Sequence, residues 1–214
     1  MQPGYWRCGV SVMRLGKRGL RDVGLVAAAA LIVLVAPTFP ARAQAAVTRD
    51  DIIKGLSGLE ATPDLNVAAL RQRALERAKS KADAVPLKRP PIATELLELP
   101  RFMVEVQFDP DASTIRPESY QTLGRIADAL CHSTLLRSGF LIVGRTDATG
   151  KREYNLTLSQ KRADSIRDAL VNTFKISSKR LQAIGLGEEQ LQDAARPTAA
   201  INQQVQVVTV AKPL

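Results

Sequence analysis

The second half of the chain alternates between short apolar runs and longer segments in which apolar residues recur every three or four positions. The short runs predict four β-strands, at about 103–108, 140–143, 181–185 and 205–210. Pro117 opens the first predicted helix, and a second extends over about 156–174. Two strand–helix–strand crossovers imply neighbouring parallel strands with helices on one face. We therefore expect an α/β fold of the α+β sandwich type, with the order β-α-β-α-β-β and a mixed four-stranded sheet.

Residues 44–93 lack the apolar density of a second globular domain. Thr62 and Pro63 form a helix-start signal, and the helix that they open, to about Ala82, carries mostly alanine on its apolar face. The proline-rich stretch at 86–91 then predicts an extended, stiff spacer. We prefer the interpretation of a surface helix followed by a linker. The alternative is a docking arm for another protein.

Residues 1–43 have the organisation of a secretory signal peptide. A cationic region precedes an apolar core at 23–36. Ala41 and Ala43 then supply small residues at the two positions that a signal peptidase recognises. We expect cleavage after Ala43, with Ala45 as the alternative, and Met13 is an alternative start. A retained membrane anchor is disfavoured because a spanning helix needs roughly 20 apolar residues. The mature chain is therefore expected to contain no transmembrane segment.

The formal net charge of +9 and the pI of about 9.9 by themselves suggest a nucleic-acid ligand. Six basic residues and one acidic residue precede residue 44, so +5 of the +9 belongs to the predicted signal and +4 to the mature chain. Aromatic residues for base stacking are also scarce, and Trp6 lies in the signal. We expect no nucleic-acid partner.

The cysteine and histidine content argues against a metal site. Cys8 belongs to the predicted signal, which leaves Cys131 without a disulfide partner, and a single thiol in an exported protein is usually buried. Cys131 precedes His132, the only histidine, but adjacent helical residues point in different directions. We prefer a structural role for both residues and expect no metal or cofactor.

The sequence also lacks the patterns of common hydrolases. It contains no zinc-protease motif, no plausible Cys–His dyad and no nucleophile elbow. Glu188 and Glu189 follow a glycine-rich turn and are interpreted as turn residues rather than as a catalytic pair. We therefore expect a protein without enzymatic activity.

The stretch from Leu141 to Ala163 carries the candidate binding residues. An apolar run ends in a loop that contains Asp147, and the helix that follows carries Arg162 about two turns later. A carboxylate at the end of a strand and a guanidinium on the next helix can meet at one rim of the fold. Such a pair suits a zwitterion, because each group binds the opposite charge. The alternative is a salt bridge that only ties the loop to the helix.

The same stretch reads Gly-x-Thr-Asp-x-x-Gly and then Asn-x-x-Leu-Ser-x-x-Arg-Ala. This spacing resembles the signature of the OmpA-like C-terminal domain family, a periplasmic peptidoglycan-binding fold. The resemblance runs from about Phe102 to Val210. It implies the same β-α-β-α-β-β order, and it implies that Asp147 and Arg162 hold the diaminopimelate of the peptide stem.

Further positions match the family more loosely. Asp111 lies in the first loop, where the resemblance implies contacts to the ligand. Thr146 is expected to orient Asp147. Asn155 is either a helix cap or a ligand contact, and Leu158 is expected to form a wall of the pocket.

The chain departs from the family pattern in two places. Arg145 stands where the family usually has histidine, which adds a charge at the rim and is expected to change little. Asn-Gln-Gln-Val at 202–205 stands where the family commonly has Asn-Arg-Arg-Val. Gln203 therefore replaces an arginine that helps to hold acidic groups of the stem. Because Gln203 carries no charge, we expect lower affinity or an altered stem preference.

These expectations give one organisation: a signal peptide at 1–43, a helical arm and Pro-rich linker at 44–93, and an OmpA-like peptidoglycan-binding domain at 94–214. The resemblance implies a non-enzymatic protein of the periplasm, associated with the outer membrane, that links a cell-envelope component to the cell wall. If the alternative of a docking arm holds, residues 44–93 are the site for an envelope protein partner. The alternative is an envelope protein–protein adaptor whose peptidoglycan site is weakened or lost.

Overall fold

The computed structural model describes residues 47–60, 63, 65–80 and 89–211. Several sequence-based predictions lie outside these residues: the signal peptide, its cleavage sites, the Met13 start, the Thr62 cap and the first part of the Pro-rich stretch, at 86–88. Within the described ranges the chain forms one four-stranded sheet and four α-helices.

The strands are β1 (Arg101–Val104), β2 (Gly139–Gly144), β3 (Leu181–Gly185) and β4 (Val205–Ala211). Their order in the sheet is β1-β4-β2-β3, with β2 and β3 parallel and β4 antiparallel to both of its neighbours. The predicted mixed sheet is confirmed. The expectation that β1 and β2 are neighbours is wrong, because Val207 of β4 pairs with Phe102 on one side and with Ile142 on the other. An apolar run that is buried on both faces suits this central place.

The helices are α1 (Arg49–Leu56), α2 (Val67–Lys79), α3 (Tyr120–Leu130) and α4 (Arg152–Asn172). A capping box starts α1, since Thr48 Oγ1 accepts from the N–H of Asp51 and the Asp51 carboxylate accepts from the N–H of Thr48. Asn66 caps α2 by accepting from the N–H of Ala69 at 2.9 Å. The prediction that this helix begins at Pro63 is therefore wrong. Of the helices described, none combines the length and apolarity needed to cross a membrane.

One face of the sheet is covered by α1, α3 and α4, in agreement with the prediction of helices on one face. Because side chains alternate along a strand, Phe140 and Ile142 of β2 point to this side. They share a buried cluster with Ile52 of α1, Ile126 of α3 and Ile166 of α4. This cluster is the larger of the two cores of the described chain.

The opposite face is covered by α2. Leu141 and Val143 of β2 lie in a second buried cluster with Leu70 and Ala74 of α2 and with Leu96 from a 3-10 turn. Small alanine side chains let a helix lie close to a sheet, so a thin apolar face is sufficient here. The segment before β1 therefore forms a layer of the fold, and the interpretation as a surface helix describes only its outer side.

Two glycines allow α4 to lie directly against the sheet. A Cβ added at Gly185, at the end of β3, would lie 2.2 Å from the backbone nitrogen of Gln160. A Cβ at Gly144, at the end of β2, would lie 2.3 Å from the carbonyl oxygen of Ser159. This close approach fixes the position of Arg162 on α4 relative to the loop after β2.

Candidate functional site

A cavity of about 380 Å³ opens near the end of β2, between the β2–α4 loop, the β1–α3 loop and the residues before β4. All of the residues predicted for the site line it: Asp111, Thr146, Asp147, Asn155, Leu158, Arg162 and Gln203. Phe108, Arg116 and Tyr154 also line it and were not singled out from the sequence. The fold thus brings together side chains from four separate parts of the chain.

Asp147 lies half-buried in the β2–α4 loop. Its Oδ1 accepts from the backbone N–H of Thr149 at 3.0 Å, and its Oδ2 accepts from Nε2 of Gln203 at 2.8 Å. The first bond is a local turn that aspartate favours. The second fixes the carboxylate toward the residues that precede β4.

Arg162 projects from α4 into the same cavity. Its Nε donates to the carbonyl oxygen of Ala112 at 3.0 Å, and its guanidinium carbon lies 4.9 Å from the centre of the Phe108 ring. Burial lowers the pKa of Arg162, while the nearby Asp111, Tyr154 and Asp147 act in the opposite direction. The Phe108 ring packs against the guanidinium, and the carbonyl oxygen of Ala112 accepts from its Nε edge.

Asp147 and Arg162 line one cavity but do not form an ion pair within 4.0 Å. This geometry disfavours the alternative of a salt bridge that only ties loop to helix. Within the described part of the chain, the two terminal nitrogens of Arg162 have no hydrogen-bond partner. The pair therefore presents an acceptor and a forked cationic donor to the cavity.

The first loop contributes Asp111, whose backbone adopts the left-handed region with φ of 52°. Its carbonyl oxygen accepts from the Tyr154 hydroxyl at 3.3 Å, which joins the loop to α4. Its carboxylate is exposed, and its charge opposes part of the lowering that burial causes in the pKa of Arg162. Leu158 is buried and forms an apolar wall of the cavity, as predicted.

Thr146 and Asn155 have contacts that differ from the predictions. The buried Thr146 hydroxyl has no hydrogen-bond partner among the described residues, so it does not orient the Asp147 side chain. Asn155 is not a helix cap, because α4 starts at Arg152 after Lys151. Its Nδ2 instead donates to the carbonyl oxygens of Asp147 at 3.2 Å and of Thr149 at 3.0 Å. Asn155 therefore supports the backbone of the loop through these two hydrogen bonds.

Arg145 and Cys131 also differ from expectation. Arg145 is only 3% exposed and does not lie at the rim, since it shares a face with Val143 and donates to the buried Gln206 and to Gln192. Burial lowers the pKa of Arg145, and in the described part of the chain no carboxylate pairs with it. Cys131 is exposed rather than buried, because α3 ends at the preceding residue.

The comparison with known families shows to which family the domain with this cavity belongs. Residues 107–204 match the model of the OmpA family. The chain contains an OmpA-family domain. Every predicted site residue lies inside the matched range, so the cavity belongs to the OmpA-family domain, while α1 and α2 precede it.

Individual relatives match the OmpA-family domain over part of their length. Outer membrane porin F of Pseudomonas aeruginosa is 32% identical over 111 residues, which are 51% of this chain and 31% of that protein. The peptidoglycan-associated lipoprotein of Mesorhizobium japonicum is 39% identical over 83 residues, or 39% of this chain and 48% of that protein. The solved structure of the peptidoglycan-associated lipoprotein of Burkholderia pseudomallei is 31% identical in sequence, with a TM-score of 0.41. The match covers 49% of this chain and 87% of that chain. The chain thus spans less than half the length of these two curated relatives.

Proposed function

We propose that the mature protein binds peptidoglycan non-covalently in the periplasm and links a cell-envelope component to the wall. The observation that carries this proposal is that Asp147 and Arg162 line one open cavity without pairing with each other. The relatives named for peptidoglycan and for the outer membrane match the domain that contains this cavity. The function is binding alone, without a catalytic step.

The ligand that we propose is the end of diaminopimelate, where one carbon bears an ammonium and a carboxylate. Arg162 receives the carboxylate on its terminal nitrogens, which a planar fork matches in geometry. Asp147 receives the ammonium. A hydrogen bond to a charged group contributes about 1.5–3 kcal/mol, so removal of either side chain is expected to weaken binding at least tenfold.

The remainder of the peptide stem has space beside the first cavity. A second depression of about 400 Å³ lies on the other side of Arg162 and Gln203 and shares both residues with the first. Glu105, Gln107 and Gln204 line it. Arg116 and Arg162 line it as well, so this depression offers amides, one carboxylate and two guanidinium groups, and we expect it to take both amide and charged groups of the stem.

The organisation of the whole chain is part of the same proposal. Residues 1–43 direct export, and residues 94–214 form the binding domain. Residues 44–93 remain the candidate region for an envelope protein partner, through the outer side of α2, whose apolar side is buried against the sheet.

Sedimentation with purified sacculi tests the proposal. We expect the mature protein to sediment with sacculi that contain diaminopimelate, and Asp147→Asn or Arg162→Gln to release it. Arg167→Gln and Asp168→Asn are matched controls, because both residues lie on α4 and pair with each other at 2.8 Å outside the cavity. Amidation of the free carboxylate of diaminopimelate should release the wild-type protein as well.

Two outcomes would overturn parts of the proposal. Unchanged sedimentation of both site variants would refute the assigned residues. Absence of sedimentation by the wild type, together with no saturable response to a soluble stem peptide that contains diaminopimelate, would favour the adaptor.

A further inference from the structure

The loop that carries Asp147 depends on one buried side chain beneath it. Asn155, 3% exposed, donates from Nδ2 to the carbonyl oxygens of both Asp147 and Thr149. These two carbonyls flank the turn in which the Asp147 carboxylate accepts from the N–H of Thr149. The orientation of the Asn155 amide therefore sets the position of the Asp147 loop.

The orientation of Asn155 is set in turn by Glu188. Oε2 of Glu188 accepts from the same Nδ2 at 2.7 Å, and Oε1 of Glu188 accepts from Nη1 of Arg89 at 3.0 Å. The side chains of Glu188 and Arg89 are each only 4% exposed. Because both charges are out of water, Glu188 depends on Arg89 for compensation, whereas Arg89 also lies 3.9 Å from Oε2 of Glu189.

Arg89 comes from outside the OmpA-family domain. It precedes β1 and the matched range of 107–204, and it lies in the proline-rich stretch at 86–91. A second contact joins the same two regions, since Arg152 pairs with Glu189 at 2.7 Å and donates to the carbonyl oxygen of Ser80 at 2.9 Å. The segment before the domain thus reaches the support of the Asp147 loop at two points.

We propose that Arg89 is a positioning residue for the ligand site and acts through Glu188 and Asn155 on the loop of Asp147. This inference rests on the proposed function for its binding readout. When Arg89 is paired, Glu188 holds Asn155 under the loop and the Asp147 carboxylate faces the cavity. When Arg89 moves away from Glu188, the buried carboxylate of Glu188 turns toward water. Asn155 then loses its acceptor, and the loop of Asp147 is no longer held in place. Tension or partner binding on the N-terminal segment therefore changes the affinity of the site.

The size of the effect follows from the fraction of molecules whose loop is in place. A loop that holds the binding geometry only about a tenth of the time raises the apparent Kd about tenfold. The loop amides report this fraction without any ligand. The N–H of Ala148 donates to the carbonyl oxygen of Pro197 at 2.9 Å, and the N–H of Thr149 donates to Asp147, so both are protected only when the loop is in place.

The test uses the full mature chain with two variants. Arg89→Gln removes the positioning charge but leaves Glu188 uncompensated. The double variant Arg89→Met with Glu188→Gln leaves no unpaired charge at this pair, keeps an acceptor for Asn155 and leaves the Arg152–Glu189 pair in place. Arg73→Gln is the matched control, because Arg73 precedes the linker on α2 and pairs with Glu95 at 2.8 Å on the surface.

The double variant has no carboxylate that would turn toward water, so its loop amides should keep wild-type exchange rates. We expect Arg89→Gln to speed hydrogen exchange at the amides of Ala148 and Thr149 about tenfold, while the amides of β2 keep their wild-type rates. The Kd for a stem peptide that contains diaminopimelate should rise about tenfold, in line with the population argument. Arg89→Lys should recover part of both effects, and Arg73→Gln should change neither.

The possible failures are distinct. Equal acceleration of the loop and of β2 would mean that Arg89 only stabilises the fold, and unchanged loop exchange in a folded Arg89→Gln variant would refute the coupling. If the wild-type protein does not bind the stem peptide, the proposed function fails, and the exchange measurement still decides whether Arg89 positions the loop.

Discussion

Gln203 donates a hydrogen bond of 2.8 Å from Nε2 to Oδ2 of Asp147, so a neutral amide already occupies one oxygen of the carboxylate. A ligand ammonium must share or displace this contact. Gln203 is exposed, so water can replace the bond at little cost. Gln203 therefore holds the carboxylate in place without a competing positive charge.

We predict that Gln203→Arg tightens binding of the complete stem peptide about tenfold. An arginine here adds a charge-assisted hydrogen bond to a stem carboxylate, worth about 1.5–3 kcal/mol, of which part is lost to its own pairing with Asp147. Titration calorimetry at two salt concentrations measures the effect, which should decrease as salt increases.

The control for this prediction is Gln182→Arg. Gln182 is exposed on β3 and does not line either depression, so the same charge is added away from the site. Equal tightening by both variants would show that net charge alone attracts the ligand. Weaker binding by Gln203→Arg would show that the new guanidinium neutralises Asp147.

The burial of α2 predicts that the segment before the domain contributes to stability. Leu70 is fully buried against the sheet, whereas Leu75 on the same helix is 39% exposed. We expect Leu70→Ala to lower the free energy of unfolding by about 2–5 kcal/mol and Leu75→Ala to change it by no more than about 0.5 kcal/mol. Urea denaturation of the full mature chain measures both. Equal, small effects would mean that α2 is not part of the cooperative unit.

Local patterns were sufficient for the elements from β2 onward and for the two principal site residues, whereas α1 is not predicted and α2 begins at Val67 instead of Pro63. The run Leu181–Gly185 is bounded by turns and is predicted with its observed limits. Asp147 and Arg162 were found because a strand, a short loop and a helix bring them to one rim through local chain geometry alone. Information of this kind is contained within about twenty consecutive residues.

Contacts between distant parts of the chain leave no local sequence pattern from which they could be predicted. The insertion of β4 between β1 and β2 depends on which edges pair, and periodicity does not encode pairing. Glu188 was interpreted as a turn residue, since its buried partner Arg89 lies 99 positions earlier. The burial of Arg145 depends on Gln206, 61 positions later. Such residues are recognised only when the packed structure is known.

The burial of the Arg145 charge leads us to predict that an apolar substitution there stabilises the protein. A buried charge that no carboxylate compensates costs free energy, and apolar replacement of buried charged groups has stabilised other proteins by about 1–4 kcal/mol. We expect Arg145→Met with Gln206→Met to raise the free energy of unfolding by a similar amount. Gln206→Met alone should lower it, because Arg145 then loses its buried acceptor and keeps the longer contact to Gln192 at 3.4 Å.

The same variants also test the position of Arg145. Arg145 does not line the cavity, so the double variant should bind sacculi like the wild type. Denaturation together with sedimentation measures both properties. A double variant that is less stable than the wild type would mean that the hydrogen bonds of Arg145 outweigh the cost of its burial, and lost binding would place its charge in the site.

The close contact between β3 and α4 suggests a substitution that would displace α4 and, with it, Arg162. A methyl group at Gly185 would lie 2.2 Å from the backbone nitrogen of Gln160, and backbone atoms cannot rotate away. We expect Gly185→Ala to displace α4, to lower the free energy of unfolding by about 3 kcal/mol and to weaken peptide binding, because Arg162 moves away from Asp147. Gly124→Ala is the control, since its methyl group would lie 3.4 Å from the Phe174 ring and alanine favours a helix. If Gly185→Ala is folded and binds the stem peptide like the wild type, the spacing between β3 and α4 does not determine the geometry of the site.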